Sequence, residues 1–393
     1  MMLCRRVSVA RKPLLFRLLG TAIPVLVLAV PAPSAAEGPS QVSEVALSHP
    51  FFSPSLGQKM RISLVVGAPG SLTLLILDRD GFLARRLVSD QAVTKGKVAF
   101  DWDGRDDSGQ IVPDEAYSLK MDLGPHQQGG IYFPANTTAE PLPPLRAVYD
   151  RITSVLSYKL PVPARVHIQA GSARVDRTGA TRGPVLKTLA NREPRAGGQV
   201  IETWNGWDES GTIRVSELPD FRVAIAATPL PENSIIAVGN RGRQFFDWVR
   251  TRAGRSLLTA TSTDHAHHRG LASIDDVAPR LQLQPKNATW SAPGKVWLTS
   301  EKAMALGASV EGPTAKAFLR HPAKLMIFLD LKNFQTLTLP TSGAGPSIIV
   351  PMTGLAPGPH QLTVNWVSDY GPVTVNSVLF EVKTPLDTRS GSK

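Results

Sequence analysis

An acidic octad is the first group of side chains in this sequence whose types and spacing could do chemistry. Residues 102–109 read WDGRDDSG and place three carboxylates, an arginine and a tryptophan within eight positions. Clustered carboxylates bind Ca²⁺ or exchange protons in enzymes, whereas Asp–Gly and Ser–Gly pairs close tight turns. The EF-hand spacing and its terminal Glu are missing here. The octad alone therefore leaves a turn, a calcium loop and an acid cluster open.

A second copy of the octad favours the turn. Residues 204–211 read WNGWDESG, so Asn205 stands where the first copy has Asp103. Asparagine preserves a side-chain-capped turn but loses a charge, whereas a metal loop is expected to keep its carboxylates. We predict no catalytic residue and no cofactor-binding residue in either copy. The predicted structural-turn residues are Trp102, Asp103, Gly104, Asp106 and Gly109 in the first copy, and Trp204, Asn205, Gly206, Asp208 and Gly211 in the second.

A histidine cluster is the second chemical candidate. The segment TDHAHHRG holds Asp264, His265, His267 and His268 within five positions. Neutral imidazole binds Zn, Cu or Ni, and a carboxylate can complete such a site. A solvated loop or a pH-sensitive contact would use the same residues. If a metal binds, we expect these four side chains to hold it.

An arginine-rich aromatic segment, NRGRQFFDWVRTRAGRS, begins at Asn240. Phe245, Trp248 and Val249 recur at helical spacing, which predicts a short amphipathic helix. It could pack on a sandwich face with its arginines solvated, or bind an acidic partner or membrane surface. Nucleic acid is disfavoured as a partner, because the first residues of the chain, described below, predict export from the cytoplasm. The candidate binding residues are Arg241, Arg243, Phe246, Trp248 and Arg250.

Motifs of known enzyme classes are missing from the sequence. It contains no H-E-x-x-H, G-x-S-x-G or P-loop pattern, and its single cysteine, Cys4, precedes the mature region. We predict a protein that is not an enzyme. An alternative is polysaccharide binding, in which exposed rings such as Trp207, Trp248 and Trp297 would stack on sugars.

The elements that position these groups are predicted to be β-strands. Apolar and polar residues alternate in the segments RISLVV, SLTLLIL and YSLKMDL, which is typical of half-buried strands. Turn-forming Gly and Pro clusters separate the strands. The predicted fold class is all-β, of sandwich type, with a short helical or irregular connector before the last domain.

The first 36 residues are typical of a cleaved export signal. Five basic residues precede an apolar run of about 13 residues, too short to span a bilayer comfortably. Removing these five from the 43 Lys and Arg leaves 38 against 32 acidic residues, a net charge of +6 instead of +11. We expect the periplasm or the cell surface of a Gram-negative-type bacterium, with no transmembrane segment in the mature chain.

Residues 51–123 resemble the immunoglobulin-like domain of the flagellar hook-capping protein. The matching features are the strand order, a D-x-x-G turn, the motif W-D-G-x-D-x-x-G, and an aromatic-led strand at Tyr117. A divergent second copy spans about 152–228, and residues 276–384 are similar to a generic bacterial immunoglobulin-like domain. The resemblance implies β-sandwiches and no chemistry, and the chain is not expected to be the hook cap itself.

Three immunoglobulin-like domains in tandem are therefore predicted. Their expected function is an exported scaffold that presents surfaces to an envelope or cell-surface protein, with an acidic surface as a further partner. The predicted boundaries are 1–36 signal peptide, 43–124 first domain, 125–150 Pro/Gly-rich linker, 151–230 second domain, 231–275 connector, 276–385 third domain and 386–393 tail.

Overall fold

The structure is a computed structural model, and it describes residues 42–124, 130–136, 140–175, 181–251, 278–287, 289–292, 295–298, 303–312, 314–339, 345–368 and 373–382. The predicted signal peptide and the tail lie outside these residues. The fold is all-β, as predicted, and consists of small, mostly antiparallel sheets arranged as tandem β-sandwich domains. Among the described residues, no helix is long and apolar enough to cross a membrane.

The first sandwich packs two sheets around a core that includes Trp102, Tyr117 and Trp248. One sheet has the order β1-β2-β5, and the other has β6-β3-β4 with later chain added at the β6 edge. Alternating apolar residues face inward: Ile62, Leu64 and Val66 are buried along β2, as the period-two pattern predicts. The strands are β1 Val42–Leu47, β2 Met60–Val66, β3 Gly70–Leu77, β4 Leu83–Val93, β5 Gly96–Trp102, β6 Glu115–Leu123 and β7 Ile131–Tyr132.

The second sandwich repeats this plan with fewer buried aliphatic residues. Its sheets have the orders β8-β9-β14 and β15-β10-β13, which match β1-β2-β5 and β6-β3-β4 strand for strand. The short hairpin β11-β12 stands apart from both sheets. The strands are β8 Ala147–Asp150, β9 Val155–Leu160, β10 Ala164–Ser172, β11 Arg174–Val175, β12 Thr181–Arg182, β13 Val185–Arg195, β14 Gly198–Thr203 and β15 Phe221–Pro229.

The chain then returns to the first sandwich. Strand β16, Ile235–Ala237, pairs antiparallel with β6, and Ile235 lies opposite Tyr117. Helix α1, Phe245–Thr251, buries Phe245 and Trp248 in the same core. We call residues 235–251 the return segment. The structure thus differs from the expected connector 231–275, because the first half of that range completes the first domain.

The third sandwich is larger and follows a different plan. A three-stranded sheet, β17-β20-β23, packs on a six-stranded sheet, β18-β19-β25-β24-β21-β22, in which β19 and β25 are parallel. Its core includes Phe318, Trp366 and Phe380. The elements are β17 Arg280–Pro285, β18 Thr289–Ala292, β19 Lys295–Leu298, β20 Ala303–Glu311, α2 Ala315–Phe318, β21 Ala323–Leu329, β22 Lys332–Leu339, β23 Ser347–Pro351, β24 Gly358–Ser368 and β25 Val373–Val382.

The expected linker 125–150 contributes to both of its neighbours. Strand β7 pairs with β6, and Tyr132 packs against the first core. Leu142 and Leu145 pack against the second core, and β8 is the first strand of the second sandwich. The range expected to be a linker therefore contains two strands, β7 and β8, each of which pairs within a neighbouring sandwich.

Candidate functional site

The first octad folds as a double turn held by its own carboxylates. Asp103 accepts a hydrogen bond from the backbone N–H of Arg105 at 3.1 Å. Asp106 Oδ1 accepts from the N–H of Ser108 at 3.0 Å, from the Ser108 hydroxyl at 2.6 Å and from the N–H of Gln110 at 3.0 Å. Trp102 donates its indole N–H to the Arg105 carbonyl at 2.9 Å. The octad thus uses its acids as caps for backbone donors.

The second octad repeats these contacts. Asn205 accepts from the N–H of Trp207 at 3.1 Å, and Trp204 donates to the Trp207 carbonyl at 2.8 Å. Asp208 Oδ1 accepts from the N–H groups of Thr212 and Ile213 at 2.6 and 2.9 Å. The exchange of Asp103 for Asn205 therefore keeps the turn, which is the behaviour expected of a structural motif.

Two glycines in the octads are required by geometry. Gly104 has φ +72°, and a Cβ there would overlap the ring of Pro54. Gly206 has φ +83°, and a Cβ there would overlap the Ser216 hydroxyl. Both positions combine left-handed backbone with close approach, so only glycine fits without strain. Gly109 and Gly211 also have positive φ but face open space.

The two octads differ in the side chain that bonds the second carboxylate oxygen of their buried aspartate. Asp106 Oδ2 accepts a hydrogen bond from the indole N–H of Trp248 at 2.8 Å, and Trp248 is 0% exposed. Burial raises the pKa of Asp106, but hydrogen bonds led by those from Ser108 and Trp248 outweigh it and hold the pKa below its usual value. In the second octad, the corresponding Asp208 oxygen instead accepts from the Ser210 hydroxyl at 2.5 Å.

The return segment is fastened to the first octad loop at further points. Asn240 donates its side-chain N–H to the Val112 carbonyl at 2.9 Å, and its backbone N–H bonds Asp114 at 2.5 Å. Arg243 donates to the Ile111 carbonyl at 3.3 Å and to the Gln110 side chain. Phe52, Trp102, Tyr117, Trp248 and Phe245 form a continuous series of ring contacts with centroid spacings of 5.4 to 6.5 Å.

This arrangement corrects part of the predicted binding set. Trp248 is buried, so its ring is available neither to an acidic partner nor to a sugar. Arg243 is half-buried and is used in the loop contact, whereas Arg241 is exposed. The side chains of Phe246 and Arg250 lie outside the described residues. Of the five, Arg241 is therefore placed where a partner could reach it.

The other candidate sugar-binding rings give less support for stacking. Trp207 is half-buried, and the guanidinium of Arg214 lies 5.1 Å from its ring centroid, so one face is already covered. Trp297 lies in β19 opposite Thr289, and its side chain is outside the described residues. The ring of Trp248 lies in the core of the first sandwich, whereas Trp207 belongs to the second octad.

The predicted metal ligands, Asp264, His265, His267 and His268, lie outside the described residues. Within the described residues, no group of three or more His, Cys, Asp or Glu side chains could hold a metal ion. Metal binding by the histidine cluster stays a prediction of the sequence.

A buried ionic group that sequence reasoning missed joins the first and second sandwiches. Glu115 on β6 accepts from Arg79 at 2.8 Å and from Arg165 on β10 at 2.6 Å. All three side chains are at most 10% exposed. Burial raises the pKa of Glu115, but Arg165 and Arg79 outweigh it and hold the pKa below its usual value. Removal of one partner from such a group leaves an uncompensated buried charge.

The second and third sandwiches meet through an amide. Asn365 on β24 accepts from the N–H of Val185 at 2.9 Å and donates to the Val185 carbonyl at 2.7 Å. Leu331, in the turn between β21 and β22, packs against the part of the second core that includes Trp204. Beside this contact, a cleft of about 340 Å³ is lined by Glu209 of the second octad, Arg280 and other residues of both domains.

A histidine supports the turn that carries Leu331. Both ring nitrogens of His360 face acceptors, Asp330 Oδ2 at 2.8 Å and the Ala356 carbonyl at 2.8 Å. Only the doubly protonated imidazolium donates to both. Burial lowers the pKa of His360, but the bonds to Ala356 and Asp330 outweigh it and raise the pKa above its usual value. The turn is therefore best held when His360 is charged.

Comparisons with known proteins identify no family. No family model matches the sequence, and no curated protein matches it. The hook-cap resemblance accordingly stays a prediction.

Solved structures of tandem domains are similar at low identity. A tetra-tandem repeat from the extending region of a large adhesion protein shares 12% identity over 86% of this chain and 73% of that chain, with a TM-score of 0.18. A structure from a 1.5-MDa bacterial ice-binding adhesin shares 12% identity over 88% of this chain and 100% of that chain, with a TM-score of 0.19. The chicken CNTN1 FN1–FN3 domains share 8% identity over 88% of this chain and 99% of that chain, with a TM-score of 0.16. Similarity at this level carries no argument about function.

Proposed function

We propose that this chain is an exported, non-enzymatic scaffold of the bacterial envelope or cell surface, which presents sandwich surfaces to a protein partner. The observation that carries the proposal is the construction of the two domain junctions. Glu115 is buried between guanidiniums of the first and second sandwiches. The side-chain amide of Asn365 in the third sandwich bonds both the backbone N–H and the carbonyl of Val185 in the second. Buried, geometrically specific contacts of this kind hold neighbouring domains in fixed orientation, which a display scaffold needs.

The hydrogen bonds and ion pairs made by the buried carboxylates favour a scaffold function over an enzymatic one. Asp106 and Asp208, the buried acids of the octads, are saturated by backbone, hydroxyl and indole donors. Glu115 is saturated by two arginines. All three carboxylates are at most 3% exposed, and the pKa values of Asp106 and Glu115 are held below their usual range. A general acid or base instead needs reach to the substrate and a pKa near the working pH.

Distance measurement between domains tests the scaffold. The sequence contains one cysteine, Cys4, which precedes the predicted cleavage site, so two introduced cysteines can be spin-labelled in the mature chain. Ala99 and Ile349 are exposed, on the first and third sandwiches. We expect one narrow distance distribution for the A99C/I349C pair, and a broader one after Glu115→Gln. A broad distribution in the unmodified background would contradict a fixed scaffold.

Location is tested separately. Fractionation of the producing cells, with protease added to intact cells, should find the chain outside the cytoplasm. Recovery of the full-length, uncleaved chain in the cytoplasm would overturn the export part of the proposal.

Metal binding is the second candidate, proposed from Asp264, His265, His267 and His268 alone. Elemental analysis of protein purified without an affinity tag should then find Zn, Cu or Ni, and replacement of the three histidines by alanine should abolish uptake. No bound metal and no uptake on titration would remove this candidate.

A further inference from the structure

The outer face of the β8-β9-β14 sheet exposes aliphatic side chains in register. Val148, Ser157 and Ile201 lie opposite one another across the three strands. Val148 is 69% exposed and Ile201 is 64% exposed. Val155 lies two residues from Ser157 on the same face and diagonal to both aliphatic neighbours, within about 8 Å of each. Three aliphatic side chains therefore surround one serine on a face that no described element covers.

The first sandwich provides a built-in comparison, because its equivalent sheet has the same register. The central serine is retained as Ser63, but the positions that flank it hold small or charged residues in place of the aliphatic ones. Ile201 corresponds to Ala99 and Val148 to Ala46, while the position of Val155 is taken by Arg61, which pairs with Asp101 at 3.9 Å. Retention of the fold did not require aliphatic residues at these positions. Their presence in the second copy therefore points to a contact made by that copy.

Positive charge borders the aliphatic group. Lys159 continues the same face of β9, Arg151 lies in the β8–β9 turn, and Arg146 precedes β8; all three are exposed. In the same turn, the carboxylate of Asp150 accepts hydrogen bonds from the N–H groups of Ile152 and Thr153. The border is therefore cationic, and a bound surface is expected to supply carboxylates.

We infer that this face, the outer β8-β9-β14 face, docks a protein surface whose aliphatic side chains are flanked by acidic residues. The inference rests on the proposed function and specifies the partner's chemistry. A second copy of the chain would bring the same cationic borders together, which opposes self-association. A membrane is also disfavoured: interfacial binders insert an apolar face rich in Trp, Phe or Leu, whereas this face carries Val148, Val155 and Ile201 around Ser157.

Methyl NMR with defined peptides tests the inference. The probes are an acetylated peptide of four Val–Glu repeats and its Val–Lys counterpart. Each is titrated to about 1 mM, so that dissociation constants in the millimolar range are detected. We expect the Val–Glu peptide to shift the methyl signals of Val148, Val155 and Ile201, with no matching shifts from the Val–Lys peptide. No shifts from Val–Glu, or equal shifts from both peptides, would overturn the inference.

Variants based on the first copy sharpen this test. The double change Val148→Ala with Ile201→Ala installs the residues of the first sandwich and should weaken peptide binding about tenfold, because the aliphatic area is lost. Ile349→Ala, at an exposed position of the third sandwich, is the matched control and should leave binding unchanged. Equal effects of the two variants would contradict the assigned face.

Two further observations would identify a different occupant. Shifts that depend on protein concentration alone would show self-association, and shifts caused by vesicles of equimolar phosphatidylglycerol and phosphatidylcholine in place of the peptide would show lipid binding; either would overturn the inference. The spin-label distances decide the scaffold independently, so a narrow distribution without peptide binding removes this inference and leaves the proposed function standing.

Discussion

Replacement of Asp106 by asparagine should destabilise the first sandwich far more than the equivalent change at Asp208 destabilises the second. Both carboxylates are buried, 2% and 3% exposed, and both cap their octad through Oδ1. Asparagine retains this capping oxygen but makes its bonds neutral, which costs about 1 kcal/mol in either copy. The matched positions therefore share this part of the effect.

The second oxygen separates the two changes. In Asp106→Asn, the new amide N–H₂ faces the indole N–H of Trp248, so a buried donor loses its acceptor at a cost of about 1–3 kcal/mol. In Asp208→Asn, the Ser210 hydroxyl can rotate and accept from the new amide. We therefore expect losses of about 2–4 kcal/mol for Asp106→Asn and about 1 kcal/mol for Asp208→Asn.

The assay must resolve the three sandwiches, because a multidomain chain need not unfold in one step. Hydrogen exchange in increasing urea, followed peptide by peptide, assigns each loss to a domain, with third-sandwich peptides as internal reference. In a Trp248→Phe background the indole N–H is gone, and Asp106→Asn should then cost about 1 kcal/mol, as in the second copy. The reasoning would be refuted if both asparagine variants lost the same free energy of unfolding, or if Asp106→Asn cost as much in the Trp248→Phe background as in the unmodified chain.

Three further outcomes are expected. Glu115→Gln should lower the free energy of unfolding by about 3–5 kcal/mol, because it removes the charge that two buried arginines share; unchanged denaturation midpoints would contradict this. Because the folded pKa of Glu115 is depressed, the stability that its charge contributes is present above its unfolded pKa near 4. That stability is lost as the pH falls through the lower folded pKa. Gly104→Ala should cost more than Gly109→Ala by about 1–3 kcal/mol, since both have positive φ but only the first meets Pro54; equal melting temperatures would count against the close approach. His360 should titrate above about 6.5 by NMR. Because its folded pKa is raised, its stabilisation of the third sandwich should be complete below that pH and should fade as the pH rises through the folded pKa. A titration midpoint below about 6.5, or the same pH dependence of stability in His360→Gln, would exclude a charged His360 bonded to Asp330 and Ala356.

Much of the fold was predictable because it depends on local patterns. The alternation in RISLVV placed Ile62, Leu64 and Val66 in one core, and the duplicated octad indicated two sandwiches of the same plan. The turn chemistry was predictable for the same reason, since Asx-type capping acts over two to four residues.

The contacts that join distant parts of the chain were not predictable. Strand β16 is a three-residue apolar run, too short for a period, and it pairs with β6 more than 100 residues earlier in the chain. Glu115, Arg79 and Arg165 come from three separate strands or turns, and nothing in their spacing marks them as one group. One signal was available: Phe245, Trp248 and Val249 form an apolar helix face too hydrophobic to stay in solvent, and the first sandwich supplied the core that buries it.

The indole N–H of Trp248 gives the most direct test of the central claim, that the octad carboxylates hold the fold and that the return segment belongs to the first sandwich. We expect its ¹⁵N-indole signal to exchange with solvent as slowly as the backbone amides of β6, and to stay unchanged when Ca²⁺ or Zn²⁺ is added. Rapid exchange would place Trp248 outside the core, and a shift on metal addition would show that Asp106 serves a ligand; either result would contradict the claim.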